Sequence, residues 1–557
     1  MDSVHRERFC LLAYIVNAAI MGGVLVFATN AVAKESADGT ASVVRQARIH
    51  ATQANEAYVR SLRLTRAWLE ARDPRSGLIP SQLKGYPKAE RTDVWEPHNA
   101  GADNYSFMTL TAWFLDRPLF DGPMTDILRS ERKLTSRLKT LPDTYSFTKQ
   151  GFQYDTADNA RILFTSSEYM KDGLLPLAEA FGRSPWSERM LEMLEDIPLI
   201  TRVSKGSEME RYRAVDAEIN GNLLQILSRC YWMTGEARYL AWATEIGDHY
   251  LLGEQGLRNT SYLRLRDHGC EIIGGLSELY VTLHFADPAK KRLYQPAFHA
   301  LLDDILKIGR NDHGLFFDSI NLRDRSVVER RLADNWGYIF NAYLSVHLID
   351  TKPAYLAAIH QALDSLNKNY RNHDWESGSH DGYADAIESA LNLINRIPSP
   401  GAEEWIDSEI KVMWAMQREN GVVEGWWGDG NFSRTSIMYA LWKTRGVHVH
   451  PWRDDVLVGA VAQGKGLRIT AESRSAWSGR LTFDEPRHRT LLKLPIDYPR
   501  INQFPEWFTV ESDQEYTVAI GDRMPTSYTG RQLVEGLPVS LSPGESLQIA
   551  IEPREVR

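Results

Sequence analysis

The sequence predicts a mainly α-helical chain built from repeated helical hairpins and closed by an all-β domain. Three observations predict it. Between residues 48 and 447, apolar residues recur at helical spacing in segment after segment. Turn signals such as Asp287-Pro288, Lys352-Pro353 and Pro398-Ser399-Pro400-Gly401 separate those segments. Beyond His450-Pro451 the pattern switches to the alternation of strands.

The N-terminus reads as an export signal. Arg6 and Arg8 precede an apolar stretch from Phe9 to Phe27, and Ala31-Val32-Ala33 offers a small-x-small cleavage site. A retained anchor is the alternative, but Asn17 and Gly22-Gly23 weaken a spanning helix. The expected division is residues 1–33 signal peptide, 34–450 helical domain and 451–557 all-β domain. The expected location is periplasmic or extracellular, without stable membrane insertion. Cys10 leaves with the signal; Cys230 and Cys270 remain and read as two isolated buried thiols, with pairing as the alternative.

Within residues 34–450 each unit follows one plan. An outer helix ends, a short extended piece follows, and a polar cluster begins an inner helix. Ser76-Gly77-Leu78-Ile79, Gly151-Phe152, Gly314-Leu315-Phe316-Phe317 and Gly421-Val422-Val423 are such extended pieces. Inner helices are expected to start near Asn99, Asp158, Asp216, Asp267, Asp334, His380 and Asn431. Their outer partners are expected near 48–72, 123–140, 185–203, 237–252, 290–308, 353–369 and 402–418. A repeat of about 50 to 60 residues built from hairpins stacks as an open solenoid or closes into a ring. In the last domain, Val456 to Ala462, Gly466 to Ala471, Gly479 to Phe483, Tyr516 to Ile520 and Ser546 to Ile551 read as strands. The dense polar and aromatic run from Pro499 to Trp507 is either a loop packed on the helical domain or one inside its own domain.

Composition narrows the function. Against 73 Asp+Glu, 64 Lys+Arg leave a net charge of −9, which excludes the basic footprint of a nucleic-acid binder. Three cysteines exclude a disulfide scaffold. CxxC, HExxH, Walker-type and Gly-x-Ser-x-Gly patterns do not occur, so no cofactor and no metal is predicted. The 16 Trp and 23 Tyr supply flat faces on which sugar rings stack.

Alternating inner and outer helices, Gly-apolar connectors leading into polar clusters, and a terminal β domain resemble the (α/α) toroid carbohydrate-active enzymes. That group includes six-hairpin glycosidases and toroid polysaccharide lyases. Ser379-His380-Asp381-Gly382-Tyr383-Ala384-Asp385 and Glu424-Gly425-Trp426-Trp427-Gly428-Asp429-Gly430-Asn431 carry the resemblance best. It implies an (α/α)6 or (α/α)7 toroid followed by a β-sandwich-like domain, with an active cleft where connectors meet the inner helices. The residue roles below are read from this sequence alone.

Asp381, Asp385 and Glu388 are spaced by four and three, so they share one helix face. Acids crowded on one face repel, and one can keep the proton that general acid catalysis needs. His380 lies beside them. The second cluster offers Glu424, Trp426, Trp427 and Asp429, followed by Arg434. His268 and Glu271 open another inner helix, and Asn335, Trp336 and Tyr338 a further one. Tyr383 completes the candidate set. The first reading is an exported glycoside hydrolase acting on a polysaccharide or oligosaccharide, with uronic acid content suggested by Arg161, Arg213, Arg266 and Arg434. The expected carboxyl pair is Asp381 or Asp385 with Asp429 or Glu271, and Trp336, Trp426 and Trp427 are expected to hold sugar rings. Carboxyl separations of about 5–5.5 Å and about 6.5–9.5 Å distinguish retention from inversion. A polysaccharide lyase is the alternative, with His268, His380, Tyr338 or Tyr383 removing a proton while Asn335 or Arg434 neutralises the uronate. A non-catalytic glycan-binding protein of the cell envelope is the third reading.

Overall fold

The computed structural model describes residues 41–87, 89–201, 216–253 and 256–554. The expected signal peptide and Arg213 lie outside the described residues. Among the described residues, seven helical hairpins close into a ring. The outer helices are residues 41–70, Thr125–Thr135, Pro185–Thr201, Ala237–Leu251, Pro288–Ile308, Pro353–Asn369 and Pro400–Ala415. The first inner segment is a π-helical stretch, Pro97–Tyr105, that runs on into Ser106–Leu115. The second is Asn159–Glu168, then a π-helical turn Tyr169–Leu174, then Leu175–Phe181. The remaining five are Ala217–Thr234, Glu271–Ala286, Trp336–Asp350, His380–Ile394 and Asp429–Thr444.

The inner segments are buried on nearly every face because each is covered twice, by its neighbours in the ring and by the outer layer. Each packs on the next, and the seventh returns to the first. Glycine makes the closure possible. A Cβ at Gly430 would overlap the Asp103 carbonyl oxygen, so the seventh and first segments touch backbone to backbone. Gly221 plays the same part between the third and fourth, where a Cβ would meet the Glu271–Ile272 peptide. The sequence left six or seven hairpins open, and the structure has seven.

Side chains cap several helix starts. Ser379 Oγ accepts from the Gly382 N–H at 3.0 Å, and the Asp158 and Asp216 carboxylates cap their helices in the same way. The connectors carry short antiparallel sheets at the rim, including Leu263–Arg264 paired with Phe317–Asn321, which pairs in turn with Ser326–Leu332.

The C-terminal part stacks two antiparallel sheets. One has five strands, in the order Val456–Gln463, Gly466–Ser473, Ser546–Pro553, Glu515–Ile520 and Thr526–Thr529. The other has three, in the order Leu537–Leu541, Trp477–Thr482 and His448–His450. Their apolar faces enclose a separate core that includes Val447, Leu467, Trp477 and Ile551. Between Trp477–Thr482 and Glu515–Ile520 the chain leaves this domain and runs against the ring. Tyr498 donates to Glu278 at 3.1 Å, Asn392 Nδ2 donates to the Arg500 carbonyl at 3.2 Å, and Asn395 Nδ2 donates to the Glu506 carbonyl at 3.0 Å. Glu278, Asn392 and Asn395 lie far from the N-terminal ends of their inner helices, so the excursion plugs the end of the ring opposite the polar clusters. Of the two placements open for Pro499 to Trp507, the structure has the one packed on the helical domain.

Candidate active site

Seven helix starts brought to one rim create a blind cavity of 320 Å³ on the ring axis. Asp103, Glu168, Lys171 and Asp172 line it from the first two inner segments; Arg264, Arg266, Asp267, His268 and Glu271 from the fourth connector and helix start; Asp334 and Tyr338 from the fifth. Glu376, Asp381 and Asp385 line it from the sixth, Trp426, Trp427, Asn431 and Arg434 from the seventh, and Ile501 and Asn502 from the plug.

The cavity holds more carboxyls than cations, and its cations are mostly paired. Lys171 Nζ lies 2.8 Å from Asp172 and 3.4 Å from Glu271. Arg266 stands 3.2 Å from Glu376 and 3.4 Å from Asp334. Arg434 donates to Asp385 at 2.6 Å and, through Nε, lies 2.9 Å from Glu388. Arg264 is the cavity arginine without an ion pair among the described residues.

Burial and crowding keep several of these carboxyls from ionising together. Burial, with Asp172, Asp381 and Asp267 facing it, raises the Asp103 carboxyl well above the ordinary aspartate range. Burial and the nearby Glu376 push Asp381 up to about 6, against the pull of His380 and of the Asn431 amide, which donates to it at 2.7 Å. Burial pushes Asp334 up to about 7, with Arg266 opposing. Burial and Asp172 also raise Glu168, which accepts from the Asn222 amide.

His268 sits in a left-handed backbone conformation with φ 63°. Its Nδ1 lies 2.5 Å from Glu218 and its Nε2 3.1 Å from Asp267. Asp267 outweighs the cost of burial and Glu218 adds to it, so the imidazole is pushed up to about 11 and is charged. Glu168, Glu218 and His268 are close enough together to resemble a metal-ligand set. A doubly protonated imidazole has no lone pair to give a metal, so His268 could join such a set only by giving up its proton.

The structure brings Asp381, Asp385, Glu271, His268, Tyr338, Trp426, Trp427 and Arg434 to the cavity. It does not bring Asp429, His380, Trp336, Asn335, Tyr383 or Glu424 there. Asp429 is wholly buried, and its two oxygens accept from Trp68 Nε1 (3.1 Å) and from the N–H groups of Val423 (3.2 Å), Glu424 (2.8 Å) and Gly425 (3.1 Å). It fastens the turn that carries Trp426. His380 is fully buried, 3.3 Å from Glu424 and 3.7 Å from Asp429, and these acids push it up to about 9 despite the desolvation that opposes it. Glu424 accepts from Trp426 Nε1 at 2.8 Å. Trp336 is a core side chain packed edge-on against Phe340. Asn335 donates to the Cys270 sulfur at 3.3 Å, and Tyr383 is buried. Arg161 pairs with Asp143 outside the cavity. Cys230 and Cys270 are free and buried.

Sequence reasoning missed Asp103 as a leading candidate, together with Glu168, Lys171, Asp172 and Asn502. A weak signal existed for the second group. Glu168-Tyr169-Met170-Lys171-Asp172 places three charged residues inside a helix that is otherwise apolar, and here that helix bulges into a π-turn.

No protein-family model and no curated protein matches the chain. Among solved structures it is similar to a family 76 glycoside hydrolase (mannosidase) from Bacteroides thetaiotaomicron, at 11% identity over 69% of this chain and 98% of that chain, with a TM-score of 0.38. It is similar to a cellobiose 2-epimerase from Spirochaeta thermophila, at 13% identity over 71% and 98% of the two chains, with a TM-score of 0.37. It is also similar to an unsaturated glucuronyl hydrolase from a Bacillus species, at 11% identity over 51% and 86%, with a TM-score of 0.33. Likeness at this level carries no activity over to this chain.

Proposed function

We propose that the protein is an exported glycoside hydrolase whose chemistry runs in the axial cavity, with Asp103 as the general acid and Asp381 as the ionised carboxylate. One observation carries the reading: two carboxyls in one cavity stand in environments that separate their proton affinities. Asp103, crowded by three other acids, is held toward its protonated form. Asp381, with a value of about 6, is mostly ionised there, and the Asn431 amide orients it. Pairs of carboxyls held apart in this way supply the acid and the base or nucleophile of glycosidic cleavage. Asp103 would protonate the glycosidic oxygen while Asp381 takes the proton of the attacking water or bonds to the sugar carbon.

The shape supports action at a chain end. The plug closes one end of the ring, and the cavity is near the lower limit of ligand pockets, roughly 300–1,000 Å³. A sugar therefore enters from the rim, against Trp427. Arg264, free to pair with an anion, supports a uronic-acid-bearing substrate. The export reading is supported by residues 1–33, and no helix among the described residues is long and apolar enough to cross a membrane.

The elimination alternative needs a neutral imidazole or a phenolate poised as base. His268 is held charged between two acids, and His380 is charged and buried away from the cavity. Burial raises Tyr338, whose hydroxyl donates to Glu388 at 2.7 Å. A panel of uronic-acid and neutral glycans, read for new reducing ends and ultraviolet absorbance together, tests the proposal. Reducing ends without absorbance are expected; a 4,5-unsaturated product would replace the hydrolase by a lyase, and binding without turnover by a glycan-binding protein.

A further inference from the structure

We infer that Asn502, carried into the ring by the C-terminal domain, is a positioning residue of the axial cavity, so that both parts of the chain build one site. Its kinetic consequences rest on the glycosidase reading; its geometric consequences do not.

Asn502 is 3% exposed and takes the left-handed conformation, φ 57°, which asparagine tolerates better than most residues. Three of its polar groups are committed. Its backbone N–H donates to Glu388 at 2.8 Å, its Nδ2 donates to Asp172 at 2.6 Å, and its Oδ1 accepts from Arg434 Nη1 at 3.0 Å. The same Nη1 donates to Asn431 Oδ1 at 3.1 Å. A guanidinium has donors only, so both amides must turn their oxygens toward it. Their NH₂ groups then point the other way, Asn502 toward Asp172 and Asn431 toward Asp381. One arginine thus fixes two amides, and each amide supplies a donor to a cavity carboxylate. Asn502 is the half of this arrangement that no inner helix can provide. It comes from the plug, and the neighbouring Ile501 packs toward Gly274 on the fourth inner helix.

An aspartate at this position would keep the shape and reverse the logic. It would set a carboxylate against Asp172 and compete for the charge of Arg434. Tyr498, which bonds to Glu278 in the same plug but does not line the cavity, separates positioning from mere fastening.

The test compares the full-length protein with Asn502→Ala, Asn502→Asp and Tyr498→Phe, by crystal structure and by kinetics on whichever panel glycan the wild-type protein cleaves. In both Asn502 variants, Asp172 and Arg434 are expected to leave their positions. Both variants are expected to lose about 10- to 100-fold in kcat with KM changed by less than about threefold, the loss that a small misplacement in an active site produces. Tyr498→Phe is expected to keep kcat within about twofold while lowering the denaturation midpoint. Asn502→Asp, which conserves shape, stands in if Asn502→Ala does not fold. Unmoved Asp172 and Arg434 side chains, or unchanged kcat in a folded Asn502 variant, would overturn the inference. If the wild-type protein cleaves no glycan, the glycosidase reading falls, and the crystallographic comparison still decides whether Asn502 positions the cavity.

Discussion

Asp429→Asn is the substitution that best separates a catalytic carboxylate from a structural one. From sequence, Asp429 is a candidate for the chemistry; in the fold it ties down a turn. Its oxygens accept four donors, Trp68 Nε1 and three consecutive backbone N–H groups of the 423–425 segment. An asparagine offers one oxygen, enough for about two of them, and turns an NH₂ group toward the others. Hydrogen bonds to a charged acceptor contribute about 1.5–3 kcal/mol each. Losing two of them costs about 3–6 kcal/mol, a large part of the 5–15 kcal/mol typical of a folded domain. Guanidinium denaturation followed by tryptophan fluorescence should therefore show the helical domain unfolding at a much lower midpoint. Asp381→Asn in the same assay should shift it by less than about 1 kcal/mol, because among the described residues Asp381 accepts only the Asn431 amide, which an asparagine oxygen can still accept. Activity should divide the other way, with the folded fraction of Asp429→Asn still turning over substrate and Asp381→Asn inactive. An Asp429→Asn protein of unchanged midpoint and no activity would refute this assignment.

Five further outcomes follow from the ring and its cavity. The rate should rise with pH through about 6, because the ionised form of Asp381 is the competent one. Glu376→Gln removes a neighbouring charge that raises Asp381, so the acid limb of the pH–rate profile should move to lower pH while the plateau stays within a few-fold. Trp427→Ala should raise KM about tenfold, roughly 1.4 kcal/mol of lost ring contact, with kcat little changed. Arg434→Met strands Asp385 and Glu388 without their cation and should cost about 3–5 kcal/mol in denaturation, with part recovered by adding Glu388→Gln. Gly430→Ala should leave little folded protein on a soluble-expression and circular-dichroism comparison, since its methyl has no space where the seventh and first inner segments meet.

The helical layout was legible because it depends on local signals. Ser379, Asp158 and Asp216 cap helices that begin where the sequence expects them to begin. Pro288, Pro353 and Pro400 sit in the first turns of outer helices, where a missing N–H costs nothing. Which polar residues reach the cavity was less legible, because that depends on how far each helix runs before it meets the rim. Asp158 caps the second inner segment but is exposed outside the cavity; Glu168 and Asp172, about three and four turns on, are the residues that line it. Asp429 and Asp381 both stand at helix starts, yet the tight Gly425–Gly428 turn folds back over Asp429 and leaves Asp381 open. Asn502 gave no periodic or motif signal, since its place depends on a contact between residues 330 positions apart.

The account stands most directly on where a sugar binds. Crystals of the Asp381→Asn protein soaked with an oligosaccharide from the glycan panel should show a ring against Trp427, with its glycosidic oxygen within hydrogen-bonding reach of Asp103. A sugar seated instead in the 940 Å³ cavity between Trp113 and Trp452 at the junction with the β domain, with the axial cavity empty, would contradict it.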